Sequence, residues 1–192
     1  MRFFLFTERG EHKVIKLGQQ VSFHVPIRGE GRGSVLIGND NIFGFLPGPR
    51  LGTGEILIQA RGFESRIEIG DGNRFSNNVS IIANERISIG NRCLVGDLVT
   101  IFDSDFHEID PATRMESCGQ TKPITIGNNV WLGSRVMVLK GVTIGDNSVV
   151  AAASVVTRSI PANCLAAGAP ANVLRSIGDA EGKSYRNGPT FR

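Results

Sequence analysis

Between residues 126 and 161 the chain repeats itself every six residues. The units are Ile126-Gly-Asn-Asn-Val-Trp, Leu132-Gly-Ser-Arg-Val-Met, Val138-Leu-Lys-Gly-Val-Thr, Ile144-Gly-Asp-Asn-Ser-Val, Val150-Ala-Ala-Ala-Ser-Val and Val156-Thr-Arg-Ser-Ile-Pro. Ile, Leu and Val make up about a quarter of the sequence, so six such openings in a row arise by chance roughly once in four thousand trials per phase. A second series, Val130, Val136, Val142, Ser148, Ser154 and Ile160, falls four residues into each unit and is small or β-branched throughout. A six-residue unit is too short for a helix and does not match its period of about 3.6 residues. It fits a short strand, a bend and another short strand, with Gly and Asn where the bend needs positive φ or close backbone approach. Three units close one triangular turn, and stacked turns bury a narrow aliphatic column. The repeat therefore predicts an all-β chain folded as a parallel β-helix, a one-dimensional solenoid.

The same phase continues upstream with slips. Coil starts of the form Ile/Val-x-Ile-Gly-Asn/Asp recur at Val35, Ile67, Ile87, Ile124 and Val142. From Ile126 to Ile144 is 18 residues, one full turn, whereas Ile89 to Ile126 is 37. That excess predicts one excursion loop over residues 102–123, polar and without the repeat, and insertions in solenoids commonly carry function. Residues 1–20 read as a leading cap, 45–66 as an irregular early coil and 176–192 as a polar C-terminal tail, all within a single domain spanning 1–192. Glycine accounts for 24 of the 192 residues, well above the usual share of about 7%. Most of the excess is positional: Gly70, Gly90, Gly127, Gly133 and Gly145 each follow a repeat aliphatic.

Charge and cysteine usage narrow the function classes. A formal charge of +3, spread without basic runs, argues against a nucleic-acid partner or an anionic membrane surface. Cys93, Cys118 and Cys164 are scattered and unpaired by motif, as in a cytoplasmic protein with reduced thiols. The opening residues lack the apolar run of a secretory signal, and no stretch is long enough for a membrane span.

Among candidate chemical groups, His12 and His24 lie in the irregular N-terminal part and read as ordinary surface or strand histidines. His107 sits in the excursion with Asp103, Asp105, Glu108 and Asp110. Carboxylates so placed would orient an imidazole or raise its pKa, suiting it as a general base toward an alcohol or amine. A solvated acidic loop and a divalent-cation loop are the competing readings of the same residues. No nucleophile elbow or phosphate-binding glycine loop is present, and the histidine spacing does not suit a zinc site, so no metal is expected. Trp131 follows the inward Val130 and should point outward, toward an interface or a ligand. Arg158 and Arg175 would suit phosphate or serve as surface charge.

The repeat, the loop DSDFHEID and the stretch ITIGNNVWLGSRVMVLKGVTIGDNSVVAAASVVTRSIPANCLAAGAPANVLRSI together resemble the left-handed β-helix (hexapeptide-repeat) acyltransferases. The nearest group is the maltose/galactoside O-acetyltransferases and their relatives in polysaccharide biosynthesis. The resemblance spans residues 65–177 and is most specific over 124–177. It implies a left-handed parallel β-helix, a homotrimer, and acetyl-CoA lying between neighbouring solenoids. It also implies direct acetyl transfer to a sugar or glycan hydroxyl with His107 as general base. Carried over by position, Trp131 walls the site, and Gly133, Ser134, Ala152, Thr157, Arg158 and Arg175 line the CoA groove. Asn172 stands where the family often has a basic residue. Asn77, Asn78 and Asn84 fall near the family's sugar-binding positions, and Asp103 and Asp105 are further candidates for the sugar or for orienting His107. N-acylation of an amino-sugar nucleotide, antibiotic acetylation and a non-catalytic scaffold are the alternatives.

Overall fold

The computed structural model describes residues 4–6, 14–49 and 51–178. Among them are twenty-one short strands and no helix, so none is long and apolar enough to cross a membrane. The strands stack into three parallel sheets, the faces of a triangular left-handed β-helix. Face I carries Val14–Leu17, Ser34–Ile37, Arg66–Ile69, Arg86–Ile89, Ile124–Ile126 and Thr143–Ile144. Face II runs from Ser22–Phe23 through Leu94–Val95 and Trp131–Leu132 to Cys164–Gly168, closed by the antiparallel strand Ala171–Ser176. Face III runs from Phe4–Phe6 through Ile27–Gly31, Ile56–Ala60, Ser80–Ala83 and Thr100–Phe102 to Val155–Val156.

Both sequence series point inward. Ile126, Leu132, Val138, Ile144, Val150 and Val156 are at most 2% exposed, and the second series at most 3%. Apolar burial of this kind is the main term favouring the fold. On face II the inward column tapers: Phe23, Phe43 and Phe75 stack with centroids 5.4 and 4.6 Å apart, followed by Val95, Leu132, Val150 and Ala166 in register.

The two bend positions divide the work between them. A Cβ on Gly90, Gly127, Gly133 or Gly145 would lie 2.2–2.6 Å from atoms of the coil stacked against it, so these glycines serve close approach. Positive φ falls two residues later, at Arg92, Asn129, Arg135 and Asn147. The residue between them builds a ladder along the corner from face I to face II. Asn39, Asp71, Asn91, Asn128 and Asp146 each accept, at Oδ1, the backbone N–H of the matching residue one coil earlier, at 2.6–2.9 Å. Side chains thereby satisfy backbone donors that the bend takes out of the sheets. Along that corner four residues separate successive strands from Leu17–Ser22 to Ile144–Val149.

Two sequence expectations are corrected. Residues 1–20 are not simply a cap: Phe4–Phe6 pairs with Ile27–Gly31 and Val14–Leu17 with Ser34–Ile37, both in parallel register. Within 45–66, Ile56–Ala60 is a regular inner strand paired on both sides. Only its flanks, 44–55 and 61–65, leave the solenoid. These insertions stretch the step from Ile37 to its partner Ile69 to 32 residues, which hides the hexad phase. His12 and residues 179–192 of the tail lie outside the described residues.

Candidate active site

The largest departure from the solenoid begins after Phe102 and ends at Ile124, at the corner between faces III and I. Its base is a short antiparallel bridge between Ser104 and Thr121. Asp103 is fully buried and accepts the backbone N–H groups of Asn84 (2.7 Å) and Glu85 (2.8 Å) in the preceding coil. Asp105 pairs with Lys140 in the following coil at 2.5 Å, while its Oδ2 is buried with no hydrogen-bond partner. Asn84 donates to Ser104 Oγ, and Thr121 to Glu85. The excursion is thus tied to the coils on both sides.

His107 projects from this anchored base and is exposed. Its Nδ1 lies 3.3 Å from the carbonyl of Arg114. A carbonyl only accepts, so Nδ1 is the donor in this contact, and in the neutral ring Nε2 keeps the lone pair. The nearby carboxylates do not hold the ring, contrary to the sequence expectation. Asp103 and Asp105 are engaged as above, Glu108 accepts Ser117 Oγ, and Asp110 accepts the Ala112 N–H. Phe106, directly before the histidine, has φ +66°, an uncommon conformation for an aromatic residue. It is held edge-on against Phe102 at 5.1 Å and beneath the Arg61 guanidinium at 4.8 Å. Neither Arg61 nor Lys140 was marked by sequence. Lys140 sits at a bend position inside the repeat, and Arg61 in a coil whose phase is broken.

The candidate acceptor residues are corrected in part. Asn77 is fully buried. Its amide clips the 44–55 insertion by accepting the Phe45 N–H and donating to the Phe45 and Pro49 carbonyls. Asn78 bonds Asp97, on the corner between faces II and III, away from His107. Asn84, Asp103 and Asp105 anchor the loop rather than present free edges to a sugar.

The groove candidates flank face III. Gly133 and Ser134 stack on Ala152 and Ala153 at the corner between faces II and III, with the Ala153 N–H donating to Ser134 at 2.9 Å. Exposed Thr157 and Arg158 lie at the corner between faces III and I, with Met137 and Val155 between the two sets. Arg175 lies opposite Leu165 on the closing strand. Trp131 points outward from face II, 52% exposed, beside Leu94. Face II is the side opposite the His107 corner. Exposed His24 lies on the corner between faces II and III. Among the described residues no group of three His, Cys, Asp or Glu is arranged to hold a metal ion.

Asp103 supplies a test of the anchor. Burial pushes its carboxyl above the usual range, against the lowering effect of the N–H groups it accepts. The folded state then holds this proton more tightly than the unfolded state, so the group's contribution to stability declines as pH rises from about 4. Asp103→Asn places an N–H₂ against a backbone donor and is expected to cost about 1–3 kcal/mol near neutral pH. Thermal unfolding from pH 4 to 7 should show the gap between wild type and variant narrowing as pH rises.

Residues 123–158 match the family described as bacterial transferase hexapeptide (six repeats). Over 85% of this chain and 74% of the other, the fold superposes on a hexapeptide-repeat acetyltransferase of Vibrio cholerae, with 30% identity and a TM-score of 0.61. The chain belongs to the hexapeptide-repeat acetyltransferase family. It is 41% identical over 123 residues to the galactoside O-acetyltransferase of Escherichia coli, covering 64% of this chain and 60% of that one. It is also similar to a galactoside acetyltransferase solved in complex with coenzyme A, at 29% identity, TM-score 0.58, and 90% and 70% coverage. The chain spans about 60% of the length of the curated relatives it matches first.

Proposed function

We propose that this protein transfers an acetyl group from acetyl-CoA to a hydroxyl of a sugar or glycan precursor, with His107 as general base. The observation that carries the reading is the imidazole itself: fixed through Nδ1 to a backbone carbonyl, exposed, and on a loop anchored to the coils on both sides. Nε2 accepts the acceptor's hydroxyl proton as the oxygen attacks the thioester carbon. The oxyanion of the tetrahedral intermediate is met by a backbone N–H, a group well suited to developing charge. Collapse breaks the C–S bond, and the imidazolium returns its proton to the sulfur, giving an acetyl ester and free CoA. No acyl-enzyme forms, in keeping with the absence of a nucleophile motif. The small residues at 133, 134 and 152 leave room for the pantetheine arm, and Thr157, Arg158 and Arg175 serve the phosphates.

His107 and Trp131 lie on opposite sides of one solenoid, so a site that uses both needs two copies. A homotrimer supplies that arrangement three times over, with the His107 corner of one copy against face II of the next.

The test incubates the protein with acetyl-CoA and a panel of sugars, nucleotide sugars and antibiotics while free thiol is followed. The expected result is acceptor-dependent CoA release with an alkali-labile ester on a sugar, from a species three times the 20.7 kDa chain mass. An alkali-stable amide product would move the reading to N-acylation. The absence of both CoA binding and acceptor-dependent release would overturn it.

A further inference from the structure

We infer that the acceptor carries an anionic group, a carboxylate or a phosphate, and that Arg61, with Arg32 beside it, grips that group next to His107. This rests on the acetyl-transfer reading and narrows its substrate class. Arg61 is exposed, and an unrestrained arginine side chain samples many rotamers. Here it is held at two points. Its guanidinium carbon lies 4.8 Å over the Phe106 ring, its Nε donates to Gln59 Oε1 at 3.3 Å, and Gln59 is itself fixed by Glu30 at 2.7 Å. Among the described residues neither Arg61 nor Arg32 enters an ion pair, and the two Nη groups of Arg61 make no hydrogen bond. The side chain is oriented without being neutralised, and its forked edge stays available for a planar or tetrahedral oxyanion.

Arg32 repeats the arrangement one coil earlier on the same corner. Its guanidinium carbon lies 4.4 Å over the Phe63 ring, and its backbone N–H donates to the Arg61 carbonyl. None of the nearby acids forms an ion pair with either arginine: Glu30 accepts from Gln59 and Glu85 from Thr121, and Glu64 pairs with neither. The polar side chains expected to meet a neutral sugar are committed elsewhere: Asn77 to the 44–55 clip, Asn78 to Asp97, and Asn84, Asp103 and Asp105 to the loop anchor. What remains is the Arg61 guanidinium on Phe106, the residue before His107, with a second stacked cation, Arg32, one coil further along the corner. Such a surface favours an anion for the guanidinium and apolar sugar faces for the rings.

The experiment compares neutral methyl hexosides with carboxymethyl hexosides and hexose 1-phosphates, which keep the same ring hydroxyls, and with methyl hexuronides. CoA release is measured with wild type, Arg61→Ala and Arg61→Lys, each confirmed to unfold at the wild-type temperature. Hydrogen bonds to charged groups are worth about 1.5–3 kcal/mol, or roughly 10- to 100-fold. The best anionic acceptor should therefore exceed the best neutral one in kcat/KM by about tenfold or more at low salt. The preference should shrink with added salt and collapse toward one in Arg61→Ala, chiefly through KM. Arg61→Lys, which keeps charge but not the fork, should restore part of it. Whether the carboxylates or the phosphates lead identifies the anion. Equal turnover of neutral sugars, or an unchanged ratio in Arg61→Ala, overturns the inference and leaves acetyl transfer to sugars standing. If no sugar of either charge is acetylated, both fall.

Discussion

Replacing His107 by alanine should lower kcat by about 10²–10⁴-fold, the usual worth of a positioned general base. The protein should remain folded, because none of the contacts that anchor the loop passes through the imidazole. Asp103 holds the N–H groups of Asn84 and Glu85, Asp105 holds Lys140, and Ser104 bridges Thr121. Loss of turnover should therefore come without loss of melting temperature or of CoA affinity, measured by unfolding and by titration calorimetry. His107→Asn separates a base from a mere strut. Its amide can still donate toward the Arg114 carbonyl but takes no proton at neutral pH, so its rate should fall about as far. If either variant turns over like wild type, the base lies elsewhere.

The second large effect is structural. Gly90→Val is expected to cost about 3 kcal/mol or more, lowering Tm by roughly 6–12 °C at this chain length, readable by calorimetry. A Cβ at residue 90 would sit 2.6 Å from the carbonyl oxygen and 2.7 Å from the carbonyl carbon of Gly127. Both are backbone atoms in the middle of a stack, with no side chain able to swing aside. The control is Gly52→Ala, where nothing lies within 4 Å. Its cost should be confined to the positive φ of +63° there.

The solenoid was legible in the sequence because each coil solves the same packing problem. The six-residue spacing of Ile126, Leu132 and Val138 needs no knowledge of distant residues. Legibility ended where insertions broke the count: Ile56–Ala60 follows the same inward pattern, yet the loops on both sides shift its phase. The excursion containing His107 stood out for the converse reason, as a polar gap in a regular pattern. What holds the imidazole did not stand out. Acidic neighbours in sequence suggested a carboxylate partner, but Asp103 and Asp105 bond groups on neighbouring coils, Glu108 and Asp110 bond other groups of the loop, and the ring is held by the carbonyl of Arg114. Asn77 misled similarly, since an asparagine buried to clip a loop looks the same in sequence as one facing a sugar. The pairing of Arg61 with Phe106 joins residues 45 positions apart and follows only from stacking.

The Asn/Asp ladder has a consequence for how such a chain can change. All three insertions, at 44–55, 61–65 and after Phe102, open at the two corners that the ladder does not occupy. Along the ladder corner the interval from strand to strand stays at four residues. An added residue there would pull one Oδ1 away from its N–H and expose donors on two coils at once. That edge acts as a ruler, fixing the rise and register of every coil. The other two edges are free to lengthen, so new loops, and with them new acceptors, can be acquired without re-solving the fold.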